Sequence, residues 1–319
     1  MSAVEPLVAA PRKILPAAIF VLLAMTPPLA IWAGEGFLVL IATRAMIAGM
    51  AALALDLVLG VGGLIGFGHA AFIGIGAYAV GIAATHGWTE GLAVFPLAVL
   101  AAAAFALATG AVSLRTRGVY FIMITLAFGQ MAYFTATSLS AYGGENGLTL
   151  QDRSIVAGTD LLEGGTAFFY VVFALLLAVY LACRMVVASR FGRVLRGCRQ
   201  NPVRMQAIGI DPYRYQLVAY TMSGAIAGVA GALYANHSEF VSPALMSWHR
   251  SGELIVMVVL GGVGTLHGAI IGALAYFALE EVLAGVTEHW RIILGLLLVV
   301  IVLAGRGGLT AMLGRGGRA

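Results

Sequence analysis

The sequence predicts an all-α polytopic membrane protein with about 8–10 transmembrane helices, several of them interrupted by glycine. Three observations carry that prediction. The 319 residues are 61% hydrophobic and 10% charged, against roughly 45–50% and 25% in soluble domains, so the chain could not cover a core with polar surface. Its apolar residues fall in runs of membrane-crossing length. The loops between those runs alternate in charge: basic, then acidic.

Taken in order, residues 1–13 form a short tail ending in Arg12 and Lys13. The apolar run after them starts like a signal peptide, but it continues to Ala33 without a small-x-small cleavage site. It is therefore expected to be a retained first span. Further apolar stretches lie near 37–58, 68–85, 92–113, 118–138, 167–187, 213–235, 253–265, 268–286 and 291–304, of which 253–265 is short for a span. They make a membrane domain over 14–305, followed by a tail at 306–319. Arg12/Lys13, Arg115/Arg117, the stretch 184–214 and Arg306/Arg315/Arg318 fall on one side. Glu35, Glu90, the acids of 145–163, Glu239 and Glu288 fall on the other. The positive-inside rule makes the basic side cytoplasmic, with both termini there. The long outward loop, 139–166, carries Gly143, Gly144, Asn146 and Gly147. It is expected either to fold over the outer mouth or to serve as a solvated connector.

Several function classes are excluded. The net charge of +4 comes from short loops, and a nucleic-acid partner would need a basic domain. Cys183 and Cys198 lack metal-ligand spacing and are expected to be reduced structural thiols. No Ser-His-Asp, zinc-site or paired-carboxylate pattern stands out, so neither catalysis nor a bound metal or cofactor is expected. A Walker A loop needs a lysine at the phosphates, and the lone lysine, Lys13, lies outside any such motif.

Residues 63–78 (GLIGFGHAAFIGIGAY) and 261–276 (GGVGTLHGAIIGALAY) share eight identities in sixteen positions without a gap, pairing His69 with His267 and Tyr78 with Tyr276. Internal repeats with glycine-interrupted helices often line a transport path. His69, Tyr78, Gln130, His267 and Tyr276 are the candidates for such a path; the competing reading is close helix packing. By span count both copies run from cytoplasm to outside. Of the other polar residues, Glu253, Glu280 and Glu281 flank the second glycine segment. Asp56, Glu280 and Glu281 are expected at membrane interfaces, where a charge costs little.

Between Arg184 and Arg214 lie seven of the eighteen basic residues and a single acid, Asp211. Arg193, Arg196, Gln200 and Arg204 recur at helical spacing, with Val194, Leu195 and Cys198 on another face. Asn201-Pro202 supplies an N-cap and an N1 proline, and Gly209 a C′ residue, predicting a short helix at 202–208. Asp211-Pro212 repeats the device and opens the next span. Such an element could simply lay its arginines on anionic lipid.

The segment FGRVLRGCRQNPVRMQAIGIDPYRYQLVAYTMSGAIAGVAGALYA resembles the cytosolic loop and following span of branched-chain amino acid ABC transporter permeases. LDLVLGVGGLIGFGHAAFIGIGAY, GVYFIMITLAFGQM and ELIVMVVLGGVGTLHGAIIGA are similar to other segments of that family. The similarity covers roughly residues 37–310, and GVYF together with overall length favours the larger of its two paralogous permeases. The resemblance implies a multi-pass protein of the bacterial inner membrane, paired with the second permease and with two cytosolic ATP-binding cassette subunits that use the ATP. A periplasmic or surface-anchored binding protein would deliver substrate.

Within the cytosolic loop 188–212, the resemblance makes 202–208 a coupling helix. Arg193, Arg196, Arg199, Gln200, Asn201, Pro202, Arg204, Gln206 and Gly209 become the residues that couple to the ATPase. The family has acidic and alanine residues near 202–206, where this chain has Pro202, Arg204 and Gln206; Gly209 is retained. The implied substrates are leucine, isoleucine and valine, while relatives handle other amino acids, amides, urea and small organic acids. Two alternatives are a secondary transporter driven by protons through Asp56, the histidines or Glu280/Glu281, and a structural subunit without a path.

Overall fold

The computed structural model describes residues 14–34, 36–150, 153–155, 164–285, 289, 292–296, 299 and 308–310. The tail at 1–13 and most of the expected last span and C-terminal tail lie outside the described residues. Helices α1 (Ile14–Ala24) and α2 (Thr26–Ala33) meet at a bend of 42° and are together long and apolar enough to cross a membrane. Pro27 and Pro28 open α2 and remove two backbone donors at the bend. Helix α3 (Gly36–Asp56) runs into a π-helical turn, Leu57–Val61, and α4 (His69–Thr85) follows after an irregular stretch. The remaining helices are α5 (Gly91–Ser113), α6 (Val119–Ser138), α7 (Gly165–Ala188), α8 (Arg190–Gln200), α9 (Pro202–Ala207), α10 (Pro212–Ser238), α11 (Trp248–Gly261) and α12 (His267–Ala284).

Among the described residues, α3 with its π turn, α5, α6, α7, α10 and α12 are long and apolar enough to cross a membrane. Helix α4, at 17 residues, is shorter. The stretch expected at 253–265 is the 14-residue α11. At 1.5 Å per residue it spans only about 21 Å of a core roughly 30 Å thick. It reaches part of the way and stops at Gly261.

Helix α10 is the axis of the bundle, and small residues put it there. Cβ atoms on Gly224 and Gly228 would press on Ala106 and Ala102 of α5, and one on Gly231 would strike the Ile73 carbonyl of α4. Lipid tails are as apolar as leucine, so close backbone approach replaces the hydrophobic effect as the source of helix association. Gly231→Val is therefore expected to cost more than the roughly 1–3 kcal/mol of ordinary overpacking, because a carbonyl cannot rotate away as a side chain can. Gly252→Ala, whose Cβ would meet only Phe67 Cε1 at 4.0 Å, should be tolerated. Monodispersity of the two purified variants checks this.

The described parts of the 139–166 loop are tied down. Strand β1 (Leu148–Thr149) pairs antiparallel with β2 (Phe240–Val241) just beyond α10. Arg153 pairs with Glu239 at 2.8 Å, and the Ser154 amide donates to Asn236 Oδ1 at 2.8 Å. Its glycines supply the left-handed turns, with φ of 85° at Gly143, 50° at Gly144 and 80° at Gly147. The loop is thus packed onto the bundle on the side away from α8 and α9.

Candidate functional site: two helix breaks and an exposed helix

The repeated segments become two helix breaks, 62–68 and 262–266, and each histidine is the first residue of the helix that follows its break. Both helices run antiparallel to α3. Along α12, Leu266 lies at Asp56, Ile270 and Ala273 at Gly49, and Phe277 at Arg44. Helix α4 starts opposite Ala54, to whose carbonyl His69 is linked through Ser223. The two copies therefore leave their breaks in the same direction.

Asp56, at the end of α3, holds the second break. Its carboxylate accepts hydrogen bonds from Gly264 N at 2.6 Å and Leu266 N at 2.9 Å. This corrects the expectation of an interfacial Asp56, which is 0% exposed. The reason is local geometry: a broken helix leaves amides without carbonyl partners, and a carboxylate from α3 satisfies two of them. Gly60 lets the breaks touch, since a Cβ there would collide with Asp56 Oδ1 and the Gly264 backbone. Leu266 sits at φ 55°, a left-handed conformation costly for a branched side chain. Break 62–68 is satisfied differently. Phe67 N donates to Thr125 Oγ1 of α6 at 3.1 Å, and Ala70 N to Ser251 Oγ of α11 at 3.1 Å.

The path candidates do not converge on one channel. His69 is 1% exposed, and its Nε2 lies 3.0 Å from Ser223 Oγ. Ser223 spends its proton on the Ala54 carbonyl at 2.6 Å, so Nε2 is the protonated nitrogen and donates to the serine. The ring is enclosed by Phe72 and Tyr220, with centroids at 5.3 and 5.7 Å. Tyr78 is buried in an apolar cluster with Val241 and Leu150. Gln130 is half-buried on α6, and His267 half-buried at the start of α12. Tyr276 alone of the five borders a cavity of about 250 Å³, together with Arg44 and Glu280. Glu281, by contrast, is exposed.

On the arginine-rich side, α8 buries Gly192, Leu195 and Cys198, a one-face spacing that seats Leu195 against Val61 and Ala219. Arg193, Arg196 and Gln200 stay exposed. Burial raises the Cys198 thiol pKa, opposed by a hydrogen bond from its own backbone amide and aided by Asp211; the group is an inert thiol. Arg199 is exposed as well, but its guanidinium reaches the bundle and donates to the Gly60 carbonyl. Helix α9 follows as its caps dictate. Asn201 Oδ1 accepts from Arg204 N at 3.0 Å, Pro202 occupies the first turn, and Gly209 at φ 83° ends it. Asp211 Oδ1 then accepts from Tyr213 N at 3.1 Å to open α10. No α9 residue is buried, and Val203 and the following Ile208 are 69% and 66% exposed. Pro202, Arg204, Gln206 and Gly209 all lie on this surface.

Sequence reasoning does not single out Ser223, Ser251, Thr125 or Arg44. A hydroxyl in an apolar helix usually bonds its own i−4 carbonyl, as Thr43 does to Val39, and only the fold shows which ones reach another helix.

Membrane-crossing helices around a small-residue axis, with two helix breaks, the second held by a buried carboxylate, and a capped helix presented on one side, define a polytopic membrane permease. The family described as branched-chain amino acid transport system / permease component matches residues 37–302, and the chain belongs to that family. It is 31% identical over 296 residues to the high-affinity branched-chain amino acid transport system permease protein LivM of Escherichia coli (strain K12), covering 85% of this chain and 69% of that protein. To BraD, a high-affinity branched-chain amino acid transport system permease protein of Pseudomonas aeruginosa, it is 26% identical, covering 83% and 90%. A more distant relative is the fructose import permease protein FrcC of Rhizobium meliloti, 27% identical over 48% of this chain and 47% of that protein. No solved structure matches the chain.

Proposed function

We propose that this permease is the membrane subunit of an ATP-driven importer of branched-chain amino acids, its arginine-rich side facing the cytoplasm and both termini on that side. A paralogous permease completes the membrane path, and a binding protein delivers substrate at the face bearing β1 and β2. ATP is hydrolysed by two cytosolic subunits, one of which docks on α9. The observation that supports this reading is α9 itself: capped at both ends, burying none of its side chains, and holding Val203 and Ile208 in the open. Exposed apolar side chains between arginines form a surface for a protein groove. Motion imposed on α9 would pass to α8, where Met205 packs on Gly197, and from Arg199 to the Gly60 carbonyl at the first break. Asp56 carries it to the second break. Such a chain of rigid elements suits a switch between inward-open and outward-open states.

Gly209→Val forces a β-branched residue into the left-handed region and strains α9 by roughly 1–2 kcal/mol. Arg204→Glu reverses the charge presented to the groove. Each is expected to lower the amount of ATPase subunit co-purified by about tenfold, with the permease still present in the membrane. Unchanged co-purification and uptake in both variants, or uptake driven by a proton gradient without the ATPase subunits, would overturn the assignment.

A further inference from the structure

A cavity of about 250 Å³ opens between α3, α11 and α12, near the ends of those helices that lie away from α8 and α9. Two ion pairs line it. Arg250 Nη1 bonds Glu253 Oε2 at 2.8 Å, while Arg44 Nη2 stands 3.9 Å from Glu280 Oε1, too far for a hydrogen bond. Toward the breaks the cavity continues into an apolar pouch of about 70 Å³, whose walls include Ala48, Ile73, Leu254, Met257 and Phe277. Arg44, Arg250 and Glu253 border both parts, and the Arg44 guanidinium lies 4.8 Å from the centre of the Phe277 ring.

We propose that this composite cavity is the substrate site of the permease and takes a zwitterionic amino acid with a branched aliphatic side chain; the assignment rests on the importer reading above. The ammonium faces Glu253 and Glu280, the carboxylate faces Arg44 and Arg250, and the side chain enters the pouch. Charge balance is the first argument. Two arginines and two glutamates sum to zero, so a ligand carrying one charge of each sign exchanges partners without leaving any charge unmet. A dicarboxylate would set its second negative charge against the glutamates. The stretched Arg44–Glu280 pair leaves donors and acceptors to spare for that exchange.

Size is the second argument. The pouch holds on the order of five water-sized groups, which suits a branched side chain of four carbons. Position is the third. Ala48 and Ile73 lie on α3 and α4, on either side of the first break, whereas Leu254, Met257 and Phe277 lie on α11 and α12, on either side of the second. Displacement at the Asp56 link would therefore reshape the pouch, as expected where repeats move against each other.

The test uses the assembled transporter in nanodiscs, without binding protein, and radiolabelled leucine competed by valine, alanine and fructose. Uptake by the full system, binding protein included, is measured alongside. Ala48→Leu fills the pouch: leucine binding should weaken tenfold or more and alanine binding less than twofold. Glu280→Gln should weaken both. Where Ala48→Leu fails to assemble, Ala48→Val carries the same comparison. Equal weakening for leucine and alanine in the Ala48 variant, no weakening at all, or fructose competing as well as valine would overturn the site. If the full wild-type system imports leucine while these results fail, the importer reading stands without this site. If it imports no leucine, both fall together.

Discussion

Replacing Asp56 by leucine is expected to destroy the fold of the paired breaks. The substitution leaves the Gly264 and Leu266 amides, now held at 2.6 and 2.9 Å by the carboxylate, without partners. Each orphaned buried amide costs roughly 1–3 kcal/mol. The strained φ of 55° at Leu266 loses the bond that holds it. Asp56→Leu should therefore reach the membrane poorly or lower the Tm of the purified permease by several degrees or more. Asp56→Asn, able to accept one amide but presenting a donor to the other, should fall between. Thermal unfolding followed by size-exclusion chromatography measures both. A side chain lying at a solvated interface would tolerate either change, so a wild-type Tm in Asp56→Leu refutes the capping role.

Arg199→Ala is expected to separate docking from transport. Arg199 lies in the basic helix next to α9, yet its guanidinium bonds the Gly60 carbonyl at the first break. A hydrogen bond from a charged group contributes about 1.5–3 kcal/mol, so its loss should lower coupled uptake roughly 10- to 100-fold. ATPase subunits should still co-purify, because α9 and its caps are untouched. Arg199→Lys keeps one cationic donor and should recover part of the uptake. The diagnostic quantity is ATP hydrolysed per substrate imported, which should rise in Arg199→Ala. An unchanged ratio with unchanged uptake would show that Arg199 transmits nothing.

The arginine-rich segment was the most legible part of the chain. Asn201-Pro202, Gly209 and Asp211-Pro212 act within one or two turns of their own position, so their caps could be read directly. The helix ends at Ala207, with Ile208 as its last cap residue, one residue short of the expected bound. The repeat was legible too, because glycine spacing and the His and Tyr pairs are properties of the string. Its consequences were not. His69 and His267 match in sequence, yet His69 is sealed against Ser223 while His267 is half-exposed to its surroundings. Their neighbours come from different helices, and no local pattern records which helix arrives. Arg44 illustrates the same limit, lying in α3 236 residues before the Glu280 it faces.

The sequence by itself determined that this is an all-α polytopic membrane protein, where glycine interrupts its helices and where a short capped helix forms. Those outcomes depend on transfer of apolar runs into lipid and on caps that act over a few residues. Tertiary structure alone decided that Asp56 closes the second break, that Arg199 reaches back to the first, and that two ion pairs and an apolar pouch share one cavity. In a bilayer nearly every helix face is apolar, so hydrophobic pattern cannot select partners. Close glycine contacts and a few long-range hydrogen bonds make that selection, and they exist only once the helices have packed.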